Sequence, residues 1–344
     1  MIEEHVLPRL AAAGVRLVQV ARERRHVTKA GDGVVILDDS RAPTQLYTDG
    51  ACTLYDEMVE AGTIPQSGNR HCSIHAKGDA LDPVIARLTR GQPYRHVMGF
   101  EAGERRRAEK DAGYNTDLRT GVYPLIEWGW FRDDAVAYID SVIQAEVGKS
   151  ACTFCPFAFA NMTSRREVFA RYTDDPGVGA QTLLMEHLAL ALNPAQGLVG
   201  GRRLVDMIRD QKLAGVLDSF DQLLSEQMHA VYDVRRILRP RKSDPAKLGN
   251  AARSVRARMR GTREDMDAIL ARLAAEERAQ GVLEREVGED GIVRLYKHRR
   301  DSTFPTIERH FVVAPALAIA KEHTRFDQWW EDALAAGATA RVAA

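Results

Sequence analysis

The chain has 344 residues, 45% hydrophobic and 28% charged, and its 48 basic and 48 acidic side chains cancel. That length accommodates two domains, and zero net charge excludes a whole-chain polycation, so any nucleic-acid binding needs a local patch. No apolar run reaches the ~18–20 residues of a membrane span, and the acidic start MIEEHVLPRLAAAG lacks the apolar core of a signal peptide. A cytoplasmic, reducing location is expected, where four cysteines read as thiols or metal ligands rather than disulfides.

Ile2, Val6, Leu7, Leu10 and Ala13 fall at helical spacing, Gly14 stops that helix, and Val15, Leu17, Val18 and Val20 predict a buried strand. VVIL at 34–37 reads as a short strand, and Cys52 to Ala61 as a helix ended by Gly62. YRHVMGF at 94–100 reads as a strand running into a charged loop, and TGVYPLIEWGW at 120–130 as a strand or extended segment. Asp133 and Asp134 cap a helix expected to end near Val147, with Ala135, Val136, Ile139 and Val142 on one side. Alternating helix and strand predicts an α/β layer with a mostly parallel sheet. From Arg165 to Gln280 the pattern reads as helical, with Leu217, Phe220, Leu224, Met228 and Val231 as one core-packing stripe. A hairpin, VLEREV–GEDG–IVRLYK, follows; IERHFVVA predicts a third strand and FDQWWEDALAA a last helix. The domain boundary is expected near residue 165, dividing 1–164 from 165–344.

Cys152 and Cys155 form a Cys-x-x-Cys pair, with Cys72 and Cys52 far upstream. Thiolates are soft ligands for iron–sulfur clusters, zinc or copper(I). Three functional readings stay open: a cluster on Cys72, Cys152 and Cys155, with Cys52 or no residue on the last iron; a zinc site recruiting His71 or His75; and a thioredoxin-like redox pair. The structural alternative is a pair of buried thiols. Outside a zinc site, His71, His75 and His96 read as ordinary polar residues.

YPLIEWGWFRDDAVAYI followed by KSACTFCPF resembles the C-terminal half of the phosphoadenosine-phosphosulfate (PAPS) reductase-like proteins of the adenine-nucleotide α-hydrolase (PP-loop ATPase) superfamily. RHCSIHAKGDALDPVI is similar to their cysteine-and-lysine segment, HVMGFEAGERRRAEK to their glycine–acid–arginine segment, and EEHVLPRLAAAGVRLVQV to the helix and strand after their nucleotide loop. The match covers about residues 1–160 in the family's order. It implies a Rossmann-like, parallel-sheet core that binds an adenine nucleotide or sulfonucleotide, with enzymatic sulfur transfer or thiolation near it. It also implies a 4Fe–4S cluster on Cys72, Cys152 and Cys155, with zinc as the alternative. Lys77, Arg105, Arg106 and Arg107 would meet the ligand's anionic groups, guanidinium groups doing so bidentately. The other reading of Arg105–Arg107 is a solvated helix face paired with Glu101 or Glu104.

The sequence departs from the family at its start. Members open with a strand and an S-G-G-x-D-S loop that cradles phosphate, and no such loop occurs here. Met1 matches an internal family position, so the core is expected to be N-terminally truncated and ATP to bind weakly or not at all. Trp128 and Trp130 read as packing residues rather than as a stacking surface for a base. Arg235 to Arg260 holds ten lysines and arginines against one acid, Asp244, and KHRR follows at 297–300. That stretch reads as a solvated helix face and linker, broken by Pro240 and Pro245, or as a contact for tRNA or DNA. A non-catalytic, metal-stapled nucleic-acid-binding or defence-associated module is therefore the alternative to an enzyme.

Overall fold

The computed structural model describes residues 2–24, 26–47, 50–66, 71–144, 151–241, 243–249, 251–278, 284–300 and 306–342. They fall into two compact units, one of Met1–Leu54 with Arg70–Ala151 and the other of Tyr55–Asn69 with Cys152–Ala344. No described helix is long and apolar enough to cross a membrane.

In the first unit a π-helical turn, Ile2–Val6, runs into α1 (Leu7–Ala12), which buries Leu7. Gly14 takes φ +64° and lets the Val15 amide bond back to Leu10, ending the helix as expected. The strands β1 (Leu17–Arg22) and β2 (Val34–Ser40) pair antiparallel. Buried Gln19 fixes the next segment: its Oε1 accepts from the Tyr47 amide at 2.8 Å and its Nε2 donates to the Gln45 carbonyl at 2.8 Å. Then come α2 (Leu54–Glu60), which joins the second unit from Tyr55, α3 (His71–Ser73), the π-helical turn Ile74–Gly78 and α4 (Asp79–Thr89). The strands β3 (Tyr94–Val97) and β4 (Arg119–Val122) pair parallel, with α5 (Arg105–Ala112) in the crossover. The unit closes with α6 (Pro124–Glu127) and α7 (Arg132–Ile143), whose Phe131 amide donates to Asp134 at 2.8 Å. The helix end expected near Val147, with Lys149 and Ser150, lies outside the described residues.

The expectation of a mostly parallel sheet holds in part. The unit is mixed α/β, and its parallel pairing among the described residues is the two-stranded β3–β4 ladder. A parallel pair needs a long crossover, which α5 supplies. Residues 26–33 instead turn, with Gly31 and Gly33 at positive φ, and β1 and β2 pair antiparallel.

The second unit departs further from the helical reading of 165–280. It is helical through α8 (Met162–Asp174), α9 (Pro176–Leu192), α10 (Leu204–Asp210) and α11 (Ala214–Ser225). It then enters β5 (His229–Leu238), a short ladder of β6 (Pro240–Arg241) with β7 (Asp244–Leu248), and β8 (Ala252–Gly261). After α12 (Arg263–Arg278) come β9 (Glu284–Val287), β10 (Val293–His298), β11 (Thr306–Pro315) and α13 (Phe326–Val342). Five of these strands make one antiparallel sheet in the order β8-β5-β11-β10-β9. The hairpin, the third strand and the last helix stand where the sequence put them. The stripe at 217–231 does not continue as one helix: α11 carries Leu217, Phe220 and Leu224, Met228 is exposed in the following turn, and Val231 lies on β5.

Every residue of β5 is buried, because helices cover both faces of the sheet. Ala230, Tyr232 and Val234 join the α9 side of the core, with Leu188, Ala191, Val312 and Ala314. Val231 packs with Met266, Leu270 and Ala274 of α12, and Ile237 with Phe326, Trp330 and Ala333 of α13. The helix α9 is apolar around its circumference, as a helix enclosed on all sides must be. Its one buried acid, Glu186, accepts the amides of Leu198 and Leu204 at 2.8 Å each and so pins the loop after the helix.

Candidate functional site

The loops that follow β3 and β4 form one edge of the first unit. The Ala102 amide donates to the Trp130 carbonyl at 2.7 Å, and the Glu101 carboxylate accepts the Arg132 amide at 2.9 Å. Glu101 and Glu104 also make a capping box at the start of the turn that leads into α5. Arg107 pairs with Glu104 and lies 4.6 Å from the Phe100 ring centroid; Phe100 stacks on Tyr123 at 6.0 Å and 19°. Below them, Tyr123 donates to Asp111 at 2.9 Å, and Arg119 grips the same carboxylate with two 2.9 Å bonds. Burial pushes the Asp111 carboxyl up, but the bonds from Arg119 and Tyr123 outweigh it and hold the group below the usual carboxylate range. A Cβ at Gly121 would lie 2.4 Å from the Tyr123 hydroxyl, so a side chain there would displace that hydroxyl.

On this framed edge Arg105 and Arg106 project from the first turn of α5, exposed and without an ion pair among the described residues. Arg107 follows the solvated-face reading through its bond to Glu104. Trp130 packs, with Trp128 at 5.3 Å and Tyr138 at 5.4 Å, whereas Trp128 is 62% exposed and Phe131 is 56% exposed. Trp128 thus packs edge-on against Trp130 and leaves the rest of its ring exposed. Lys77 is exposed in the turn Ile74–Gly78, and no hydrogen bond or ion pair joins it to Arg105–Arg107 among the described residues. His75 is paired with Asp79 at 2.8 Å. The side chain of His71 lies outside the described ones.

The Cys155 amide donates to the Cys152 carbonyl at 3.1 Å, so the two cysteines share one turn at the start of the 3₁₀ helix Pro156–Phe159. Cys152 is exposed, and Cys155 is half-buried against the core that holds Phe159. Cys52 and Cys72, both half-buried, belong to the first unit, and Cys152 and Cys155 to the second. Among the described residues no group of three or more His, Cys, Asp or Glu side chains is placed to hold a metal ion.

The basic stretch 235–260 is not a helix face and linker. It forms β5 and β8 with the β6–β7 ladder between them, and four of its arginines meet carboxylates of the same unit. Arg235 bonds Glu322 and Asp327 beneath the Phe326 ring, Arg236 bonds Glu308, and Arg258 bonds Asp233 at 2.5 Å. Arg256 pairs with Glu322 and Asp327. The carbonyls at the end of α9 take three strand side chains: Arg294 donates to Leu190 at 2.8 Å, His310 lies 3.3 Å from the Ala191 oxygen, and Arg236 donates to Leu192. Donors of this kind satisfy orphan carbonyls and meet the negative end of the helix dipole.

A cavity of about 350 Å³ in the same unit is lined by His187, His229, Arg263, Asp267 and Asp290 with an apolar wall from α12. Burial, with help from Arg263, pushes His187 down to about 4, so its imidazole is neutral near pH 7. The sequence carried no motif for this pocket, since its polar groups come from α9, β5, α12 and the turn at Asp290. No protein-family model matches the chain, and no curated protein or solved structure matches it significantly.

Proposed function

We propose that the chain is a PAPS reductase-like protein that binds an adenine nucleotide or sulfonucleotide at the edge after β3 and β4, and that serves sulfur transfer or nucleotide-dependent thiolation. The observation that carries this reading is the parallel β3–α5–β4 unit, with Arg105, Arg106 and exposed aromatic rings beyond its strand ends. In open α/β sheets, ligands bind outside the carboxyl ends of the strands. The guanidinium groups of Arg105 and Arg106 suit phosphate or sulfate, and Trp128 and Phe131 offer faces to a base. Lys77 is proposed as a further cation for the same ligand. The four segments quoted from residues 1–160 give the reading its chemistry.

Cys72, Cys152 and Cys155, with Cys52 as a fourth candidate, are the proposed thiolates of a 4Fe–4S cluster or, alternatively, of zinc. When bound, a cluster with an open coordination site would offer a place for sulfide or a sulfur-bearing substrate. The chain's own residues do the rest. Arg105 and Arg106 neutralise and orient the anion, while the Asp111–Arg119–Tyr123 network holds α5 and β4 in register. A tRNA or DNA partner through Arg235–Arg260 is not favoured, since Arg235, Arg236, Arg256 and Arg258 are engaged by carboxylates of the same unit.

Calorimetric titration with adenosine 5′-phosphosulfate tests the proposal. Saturable binding that falls at least about tenfold in Arg105→Glu/Arg106→Glu supports it, as loss of one charge-assisted contact implies. Binding indifferent to that double variant contradicts it.

A further inference from the structure

The cavity of about 350 Å³ beside α12 in the second unit holds polar groups that the fold leaves unused. His229, 2% exposed, lines it from the start of β5. Its Nδ1 lies 3.0 Å from the Gln227 carbonyl, and a carbonyl only accepts, so Nδ1 carries the proton. The neutral ring therefore presents a lone pair at Nε2, which has no hydrogen bond to a described residue. On β9, Arg285 stands opposite Leu295 of β10, and directly paired residues share a face of the sheet. Leu295 packs with α12, which places Arg285 beside the apolar wall. The Arg285 side chain has no ion pair or hydrogen bond among the described residues.

The other charges of the lining are matched. Asp290 accepts from Arg294 at 2.5 Å and from the Ile292 amide at 3.0 Å, and Arg263 faces Asp267 at 3.8 Å. Burial holds His187 and His229 below the usual imidazole range, so neither adds charge near pH 7. The positive charge of Arg285 is left over. Beside it, apolar groups come from two sides, Leu270 and Ala274 from α12 and Leu295 and Val313 from the sheet.

We infer that this cavity binds a small aromatic hydroxy acid, with its carboxylate on Arg285, its ring between α12 and the sheet, and its hydroxyl donating to His229 Nε2. One surplus cation matches a monocarboxylate, whereas Asp267 and Asp290 in the same lining repel a polyphosphate. The volume stands at the low end of the ~300–1,000 Å³ of ordinary ligand pockets, which suits a single ring better than a nucleotide. A flat ring also fills a space with apolar walls on two sides, and its polar substituents meet the charged and imidazole groups at the rim. The inference does not rest on the sulfonucleotide reading of the first unit.

The test is calorimetric titration of the full chain with ortho-, meta- and para-hydroxybenzoate, with benzoate and with inorganic pyrophosphate. It compares the wild type with Arg285→Gln and with Arg105→Glu/Arg106→Glu. At least one hydroxybenzoate is expected to bind saturably and at least about tenfold more tightly than benzoate, which lacks the donor for His229. Arg285→Gln is expected to weaken that binding at least about tenfold, in line with the loss of a charge-assisted contact, and Arg105→Glu/Arg106→Glu to leave it unchanged. Circular dichroism and melting temperature, measured on each variant, establish that the fold is intact. No saturable binding of any isomer overturns the inference, as does binding that survives Arg285→Gln or that is lost in Arg105→Glu/Arg106→Glu. Benzoate binding as tight as that of the best isomer overturns the contact with His229. Pyrophosphate binding tighter than that of every isomer overturns the inference in favour of a phosphate ligand.

Discussion

Arg236 of β5 and Glu308 of β11 form an ion pair at 2.8 Å with side chains only 3% and 7% exposed. The same guanidinium reaches Asn193 at 2.9 Å and the Leu192 carbonyl at the end of α9, so one residue ties the central strands to the buried helix. Removing one member of such a pair strands a charge in the interior. Glu308→Ala is expected to lower stability by about 3–5 kcal/mol, read from urea unfolding. A loss under 1 kcal/mol would show that water or rearrangement compensates the charge.

Gly62 has φ +54°, and a Cβ there would sit 2.3 Å from Leu192 Cδ1. Gly62→Ala therefore combines a left-handed backbone penalty of about 1–2 kcal/mol with a clash against the core. The expected outcome is a clear fall in urea midpoint. An unchanged midpoint counts against the packing of residues 61–64 on α9.

His310 is fully buried, with Nε2 on the Ala191 carbonyl and Nδ1 lacking a partner among the described residues. Burial, and secondarily the Arg236 charge, pushes it down to about 3. The unfolded chain takes up a proton below about pH 6.5 while the folded protein does not, so stability rises with pH across that window. The stability present above pH 6.5 is lost as pH falls toward 3, at up to about 1.4 kcal/mol per pH unit. Melting temperatures between pH 7 and 4.5 should decline less steeply in His310→Gln than in the wild type; equal slopes would exclude His310 as a source of the acid sensitivity.

The cysteine proposal has its own readout. Anaerobically purified chain should contain iron with acid-labile sulfide, and Cys152→Ser/Cys155→Ser should remove both. Zinc without sulfide would assign the thiols to a structural metal, and absence of both metals would end the proposal.

Local signals were legible in the sequence. Gly14 ended its helix, the GEDG turn set the β9–β10 hairpin, and the Trp-rich segment at the end made α13. The strands β5 and β8 were not legible. HAVYDVRRIL carries Asp233, Arg235 and Arg236 into the interior, and ARSVRARMRG has the composition of an exposed helix. Their partners, Glu308, Arg309 and Glu322, lie about 70 to 90 residues downstream, where no local pattern connects them. The edge residues Arg105–Arg107 could be read from a glycine–acid–arginine run. The second unit's histidine-lined cavity could not, since its polar groups come from α9, β5, α12, β9 and the turn at Asp290.

The central claim is that the nucleotide lies beyond the ends of β3 and β4. Photolabelling with an 8-azidoadenine sulfonucleotide, followed by peptide mapping, locates the base directly. The account predicts label within residues 98–110 or 123–134, competed by unmodified adenosine 5′-phosphosulfate. Label confined to residues 152–344 would contradict it.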